Sequence, residues 1–294
     1  MAVLFVLFAV GYVWLTLINP GQRPVLAATS LSDAQIVVLI LAVVFPYVGI
    51  WLTGLVGYVR LSMYARLIDG SHDGKQIRGL AWGILGVLLS LPLQSIGNTT
   101  AQVLMPHDSD LAMLIRRIFM WGVVALLVAS FYMLMRSTRA MVIESRRPYS
   151  PLPWTAALIF FALGEVYVYF VLTNPLFENG QTKGFLAPWL IINSVVLPRL
   201  LAWFWGLHAV WNLYQYARQV PGKLYRLAFN YLAVGLGIVT VTIILLQYLQ
   251  AIATVTKLPI GAILALVYIV LILASAGFLL IARGGKELTK IEEV

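Results

Sequence analysis

Apolar residues in this chain do not alternate with polar ones at the spacing of a half-buried helix or strand. They come in long unbroken runs, near 2–18, 35–59, 79–105, 111–135, 154–173, 186–215, 224–250 and 260–282. Runs of this length cross ~30 Å of hydrocarbon as helices, so the pattern predicts an all-α polytopic membrane protein with eight transmembrane spans. Gly, Pro and charged residues collect between the runs, where the backbone can turn in water.

The runs fall into two sets of four. Residues 43–67 are echoed without a gap at 195–219: Val43, Val44, Pro46, Trp51, Gly54, Leu55, Leu61, Tyr64, Ala65 and Arg66 recur as Val195, Val196, Pro198, Trp203, Gly206, Leu207, Leu213, Tyr216, Ala217 and Arg218. Ten identities in 25 positions exceed the roughly two or three expected from shared apolar composition. Tyr12, Val13, Leu17, Asn19 and Pro20 are answered by Tyr167, Val168, Leu172, Asn174 and Pro175, and Gly74-Lys75-x-x-Arg78 by Gly222-Lys223-x-x-Arg226. The reading is a tandem duplication. A first four-helix repeat spans 1–135, a basic, proline-rich linker 136–153, a second repeat 154–283 and a short tail 284–294. Four spans per repeat keep both copies in the same sense, so the halves are expected to be related by an axis along the membrane normal.

Composition agrees with the pattern. The chain is 61% hydrophobic and 11% charged, with a mean hydropathy of +0.92. No soluble domain of 294 residues could keep so much apolar surface from water. With the N-terminus in the cytoplasm, the inner loops and tail carry fourteen cations, including Arg60, Arg66, Lys75, Arg78, Arg136, Arg139, Arg218, Lys223, Arg226 and Arg283. The outer loops carry three: Arg23, Lys183 and Lys257. The positive-inside rule therefore sets both termini in the cytoplasm of a prokaryotic inner membrane. The formal net charge of +9 reads as topology and as attraction to anionic lipid headgroups, and nucleic acid is not an expected partner. There is no cysteine, which excludes disulfides and thiolate metal sites.

Ionisable groups inside the hydrocarbon are costly and need a partner or a wet cavity. Glu165 in the fifth span and Arg199 in the sixth lie at matching depth, and their equivalents in the first half are Val10 and Tyr47. Two charges present together in one half only are expected to form an intramembrane ion pair, serving either as an interhelical lock or as an ion-responsive site. In the third span Gln94 and Asn98 follow Pro92 on one helical face and are expected to satisfy a kink or line a path. His208 lies half a turn out of phase with Arg199; hydrogen bonding to Asn212 or backbone is expected, with haem or metal ligation the weaker alternative. Arg116 and Arg117 form an outer-side basic cluster with Asp108 and Asp110 nearby. Trp51 and Trp203 are expected to pack against small residues such as Gly54 and Gly206.

No phosphate-binding loop, metalloprotease helix or nucleophile elbow is present, so no catalytic role, cofactor or metal is predicted. Two functions fit. The first is a transporter or channel-like protein with a midplane polar site between the repeats. The alternative is a non-catalytic structural, assembly or signal-transmitting subunit, with other membrane proteins or a second copy as partners.

Overall fold

The computed structural model describes residues 33–104, 110–142, 197–256 and 260–292. Among them every regular element is a helix: α1 (Asp33–Leu67), α2 (His72–Leu104), α3 (Asp110–Val142), α4 (Leu197–Gln219), α5 (Lys223–Thr256) and α6 (Ile260–Glu292). Three of these are long and apolar enough to cross a membrane: α3 over Gly122–Val142, α5 over Lys223–Ile243 and α6 over Ala265–Ile291. The chain is thus an integral membrane protein by its helices. The stretches containing the expected first and fifth spans lie outside the described residues.

The helices outrun the apolar runs at one end. α1 continues to Leu67, α3 to Val142 and α6 to Glu292, so the first residues of the expected linker and most of the expected tail are helical. The backbone ladder propagates into water once nucleated, and Arg66, Arg139 and Lys290 in the last turns complement the helix dipole. At 35 residues α1 is about 52 Å long, well beyond the hydrocarbon thickness.

Two tight loops at this basic end fix the hairpins. Ser71 caps α2, accepting from the Gly74 amide at 2.9 Å while donating to the Ile68 carbonyl at 2.7 Å. Gly70 (φ 89°) and Gly222 (φ 106°) supply the left-handed residue that ends each preceding helix. The positional counterpart of Gly222 is therefore Gly70. Gly74, its counterpart by the sequence signature, lies within the first turn of α2.

Each helix packs on its neighbours in chain order, and α6 returns to α1, closing a ring of six. Small residues let the backbones approach. A Cβ added at Gly54 of α1 would lie 2.8 Å from Leu88 of α2 and 3.3 Å from Phe278 of α6. One at Gly206 of α4 would lie 2.6 Å from Thr240 of α5 and 2.9 Å from Phe131 of α3. The two glycines are thus approached closely by residues of adjacent helices. Phe131, Phe278, Trp205, Leu61, Leu88 and Leu213 are almost wholly buried, and Trp205 tilts against Tyr132 at 5.2 Å.

Polar contacts tie the ring at its two long-range seams. Between α1 and α6, the Arg60 guanidinium donates to the Ala282 carbonyl at 3.2 Å and Ser275 Oγ donates to the Pro46 carbonyl at 3.0 Å. Between α3 and α4, Asn212 donates to Thr138 Oγ1 at 3.4 Å, and that hydroxyl bonds the Leu134 carbonyl at 2.9 Å. The outward stripe of α1, Leu52, Val56, Val59 and Met63, is apolar and exposed, as a lipid-facing surface requires.

Candidate functional site

The structure distributes the residues singled out from the sequence over several helices. Glu165 lies outside the described residues. Arg199 stands in the first turn of α4, Gln94 and Asn98 in the second half of α2, and Arg116 and Arg117 near the start of α3; their side chains lie outside the described part. α2 is helical through Pro92. His208 is half-buried and stacks on Phe204, with centroids 6.1 Å apart and planes at 19°. The Asn212 amide expected to bond it donates instead to Thr138, across the α3–α4 seam.

A site that sequence reasoning missed lies at the basic end. A cavity of about 800 Å³ opens there between α1, the α1–α2 loop and the ends of α2, α3, α4 and α5. Tyr64, Tyr216, Tyr225 and Phe229 supply its aromatic walls, and Ile68, Met141, Val142, Val220 and Pro221 its aliphatic ones. Ser71, His72, Asp73 and Gln219 are its polar members. About one turn further along the same helices, Leu61, Ile77, Thr138, Leu213 and Leu232 are no more than 1% exposed, so the helices are closely packed beside the cavity.

The polar contacts are specific. The Tyr216 hydroxyl donates to Asp73 Oδ2 at 2.9 Å, joining the end of α4 to the first turn of α2. Burial raises the Tyr216 phenol above its ordinary pKa, and the Asp73 charge and hydrogen bond raise it further. The phenol therefore stays a donor throughout the neutral range. Asp73 stands in the first turn of α2. His72 Nε2 lies 3.1 Å from the Ala140 carbonyl, pinning the start of α2 to the end of α3. The Tyr216 ring meets Phe229 edge-on at 4.8 Å and 83°. At the same end of the ring, Arg78 pairs with Asp69 at 2.9 Å, and Arg218 lies over the Tyr214 ring at 4.3 Å.

Tyr64 and Tyr216 were visible in the sequence as repeated residues. Their place on a cavity wall was not, because the lining comes from five helices and two loops. No family model, curated protein or solved structure matches the chain.

Proposed function

We propose that this chain is a small-solute transporter of a prokaryotic inner membrane, built from two tandem four-span repeats with both termini in the cytoplasm. The cavity at the basic end is its cytoplasmic mouth. The observation that carries the reading is the cavity itself, open at the basic end of the helical ring, with buried apolar side chains packed about one turn further along the same helices. That is the geometry of a transporter closed toward the opposite side. Water and solute reach the mouth, while Phe131, Phe278 and Trp205 fill the ring beyond it.

Paired contacts support the duplication. Gly54 and Gly206 are 152 residues apart (206 − 54), as are Leu88 and Thr240 (240 − 88) and Gly70 and Gly222 (222 − 70). Phe131 and Phe278 are 147 apart (278 − 131). Under these offsets Gly54 with Leu88 and Phe278 becomes Gly206 with Thr240 and Phe131, and Arg60 near Gly285 becomes Asn212 near Thr138. The seams between α1 and α6 and between α3 and α4 are then one interface used twice. In this reading Glu165 and Arg199, unique to the second half, form the midplane pair that couples transport to protons or ions.

The test is flux in proteoliposomes over a panel of ions and small organic solutes at several pH values. A pH-dependent flux that loses its pH dependence in a folded Glu165→Gln variant supports the proposal. Absence of flux across the panel favours the second reading, a non-catalytic subunit, which the close-packed ring interior also supports.

A further inference from the structure

We infer that the mouth cavity binds an organic cation, a substituted ammonium carried on an apolar or aromatic body. The inference rests on reading the cavity as a solute site, and its primary test is equilibrium binding, which is independent of transport.

The charge of the lining decides the class. Among the described residues no Lys or Arg lines the cavity, and the Asp73 carboxylate stands in the first turn of α2. Two cations at the same end of the ring are engaged elsewhere, Arg78 by Asp69 and Arg218 by the Tyr214 ring. Tyr216 occupies one acceptor site of the carboxylate, and a carboxylate offers about four, so Asp73 retains capacity toward the cavity. Tyr64, Tyr225 and Phe229 add aromatic walls within the same space. A carboxylate beside several aromatic rings is the environment that recognises ammonium groups, by ion pairing and by the attraction of a cation to the ring quadrupole. Met141, Val142 and Ile68 offer an apolar surface for the rest of the solute. A volume of about 800 Å³ falls within the ~300–1,000 Å³ of small-molecule sites.

The basic end of the ring opposes this by long-range repulsion. Salt screens that repulsion over ~8 Å, and even Lys75 and Arg226, close in sequence to Asp73 and Tyr225, are not among the lining residues, whereas the carboxylate would act at contact distance. Tyr216 plays a positioning role, because its neutral hydroxyl holds Asp73 at the cavity wall without cancelling its charge.

An ammonium could arrive as a free solute or as the headgroup of phosphatidylethanolamine. The experiment is calorimetric titration of benzyltrimethylammonium, with benzoate as the anionic counterpart, into protein reconstituted in phosphatidylglycerol nanodiscs. Protein-free nanodiscs set the background. The expected result is saturable binding of benzyltrimethylammonium and none of benzoate. Affinity should fall at least about tenfold in Asp73→Asn and stay within about threefold in Asp73→Glu, with thermal melting verifying that both variants fold. A second series replaces part of the phosphatidylglycerol with phosphatidylethanolamine. Apparent affinity that falls with its fraction identifies the lipid headgroup as an occupant; unchanged affinity identifies a free solute. Equal affinity in wild type and Asp73→Asn, no binding above background, or preference for benzoate overturns the inference. Saturable Asp73-dependent binding without flux overturns the transport proposal and leaves this one standing.

Discussion

Phe131 of α3 lies against Gly206 of α4 so closely that a Cβ on the glycine would stand 2.9 Å from its ring. The contact locks the seam between the halves of the ring, and it sets the first prediction. Gly206→Ala would also bring its methyl to 2.6 Å from Thr240, so overpacking should cost about 1–3 kcal/mol, read as a lower melting temperature in detergent or nanodiscs. Gly237→Ala is the control. Its nearest neighbour would be Val210 at 3.6 Å, and relief of glycine's backbone entropy should leave it neutral or stabilised by roughly 0.5–1 kcal/mol. Equal destabilisation by both substitutions would refute the packing shown for Gly206.

The second prediction concerns the buried amide. Asn212 donates to Thr138 in an interior with little water. Thr138→Val should leave that amide unpaired at a cost of about 1–2 kcal/mol. Adding Asn212→Leu should recover part of it, so the double variant should be more stable than the sum of the single effects. Strict additivity would mean that the two side chains do not interact.

Alkaline pH supplies the third. The Tyr216 phenol is raised above its unfolded value of about 10. A raised folded pKa means that the native state holds the proton longer, so the contribution is complete below pH ~10 and is lost as pH rises through the folded value. Tyr216→Phe removes the bond to Asp73 and that dependence. The stability gap between wild type and Tyr216→Phe should be constant from pH 7 to 9 and should narrow above ~10; a gap that widens there would contradict the assignment.

Topology gives the fourth. Because the chain has no cysteine, a single introduced thiol reports unambiguously. Lys75→Cys should react with an impermeant maleimide only from the cytoplasmic face, and Asp108→Cys only from the opposite face. Labelling of both from one side would reject the orientation proposed for the ring.

The intramembrane pair is the fifth. Glu165→Gln should lower the melting temperature by stranding Arg199, and Glu165→Gln with Arg199→Gln should restore part of it, since breaking a buried pair costs about 3–5 kcal/mol. A double variant no more stable than Glu165→Gln alone would separate the two residues.

Membrane residence, the helical class and the approximate place of six helices were legible in the apolar runs, because hydrocarbon forces each crossing segment to satisfy its own backbone hydrogen bonds. The helix ends were less legible. Beyond the apolar run, Leu67, Val142 and Glu292 are held helical by a backbone ladder that composition does not report. Nor could the sequence say which face of a helix points inward. In lipid the exposed stripe Leu52, Val56, Val59 and Met63 is as apolar as the buried Ile50, Leu61 and Ala65, so the periodicity that orients a helix in water is absent. Only packing decided that Gly54 and Gly206 admit side chains from neighbouring helices, and that Arg60, a cytoplasmic-side cation in the sequence, bonds the Ala282 carbonyl. The cavity was furthest from view. Tyr216 and Asp73 are 143 residues apart, and bringing a phenol to a carboxylate across that separation is the work of the closed ring, which no local pattern encodes.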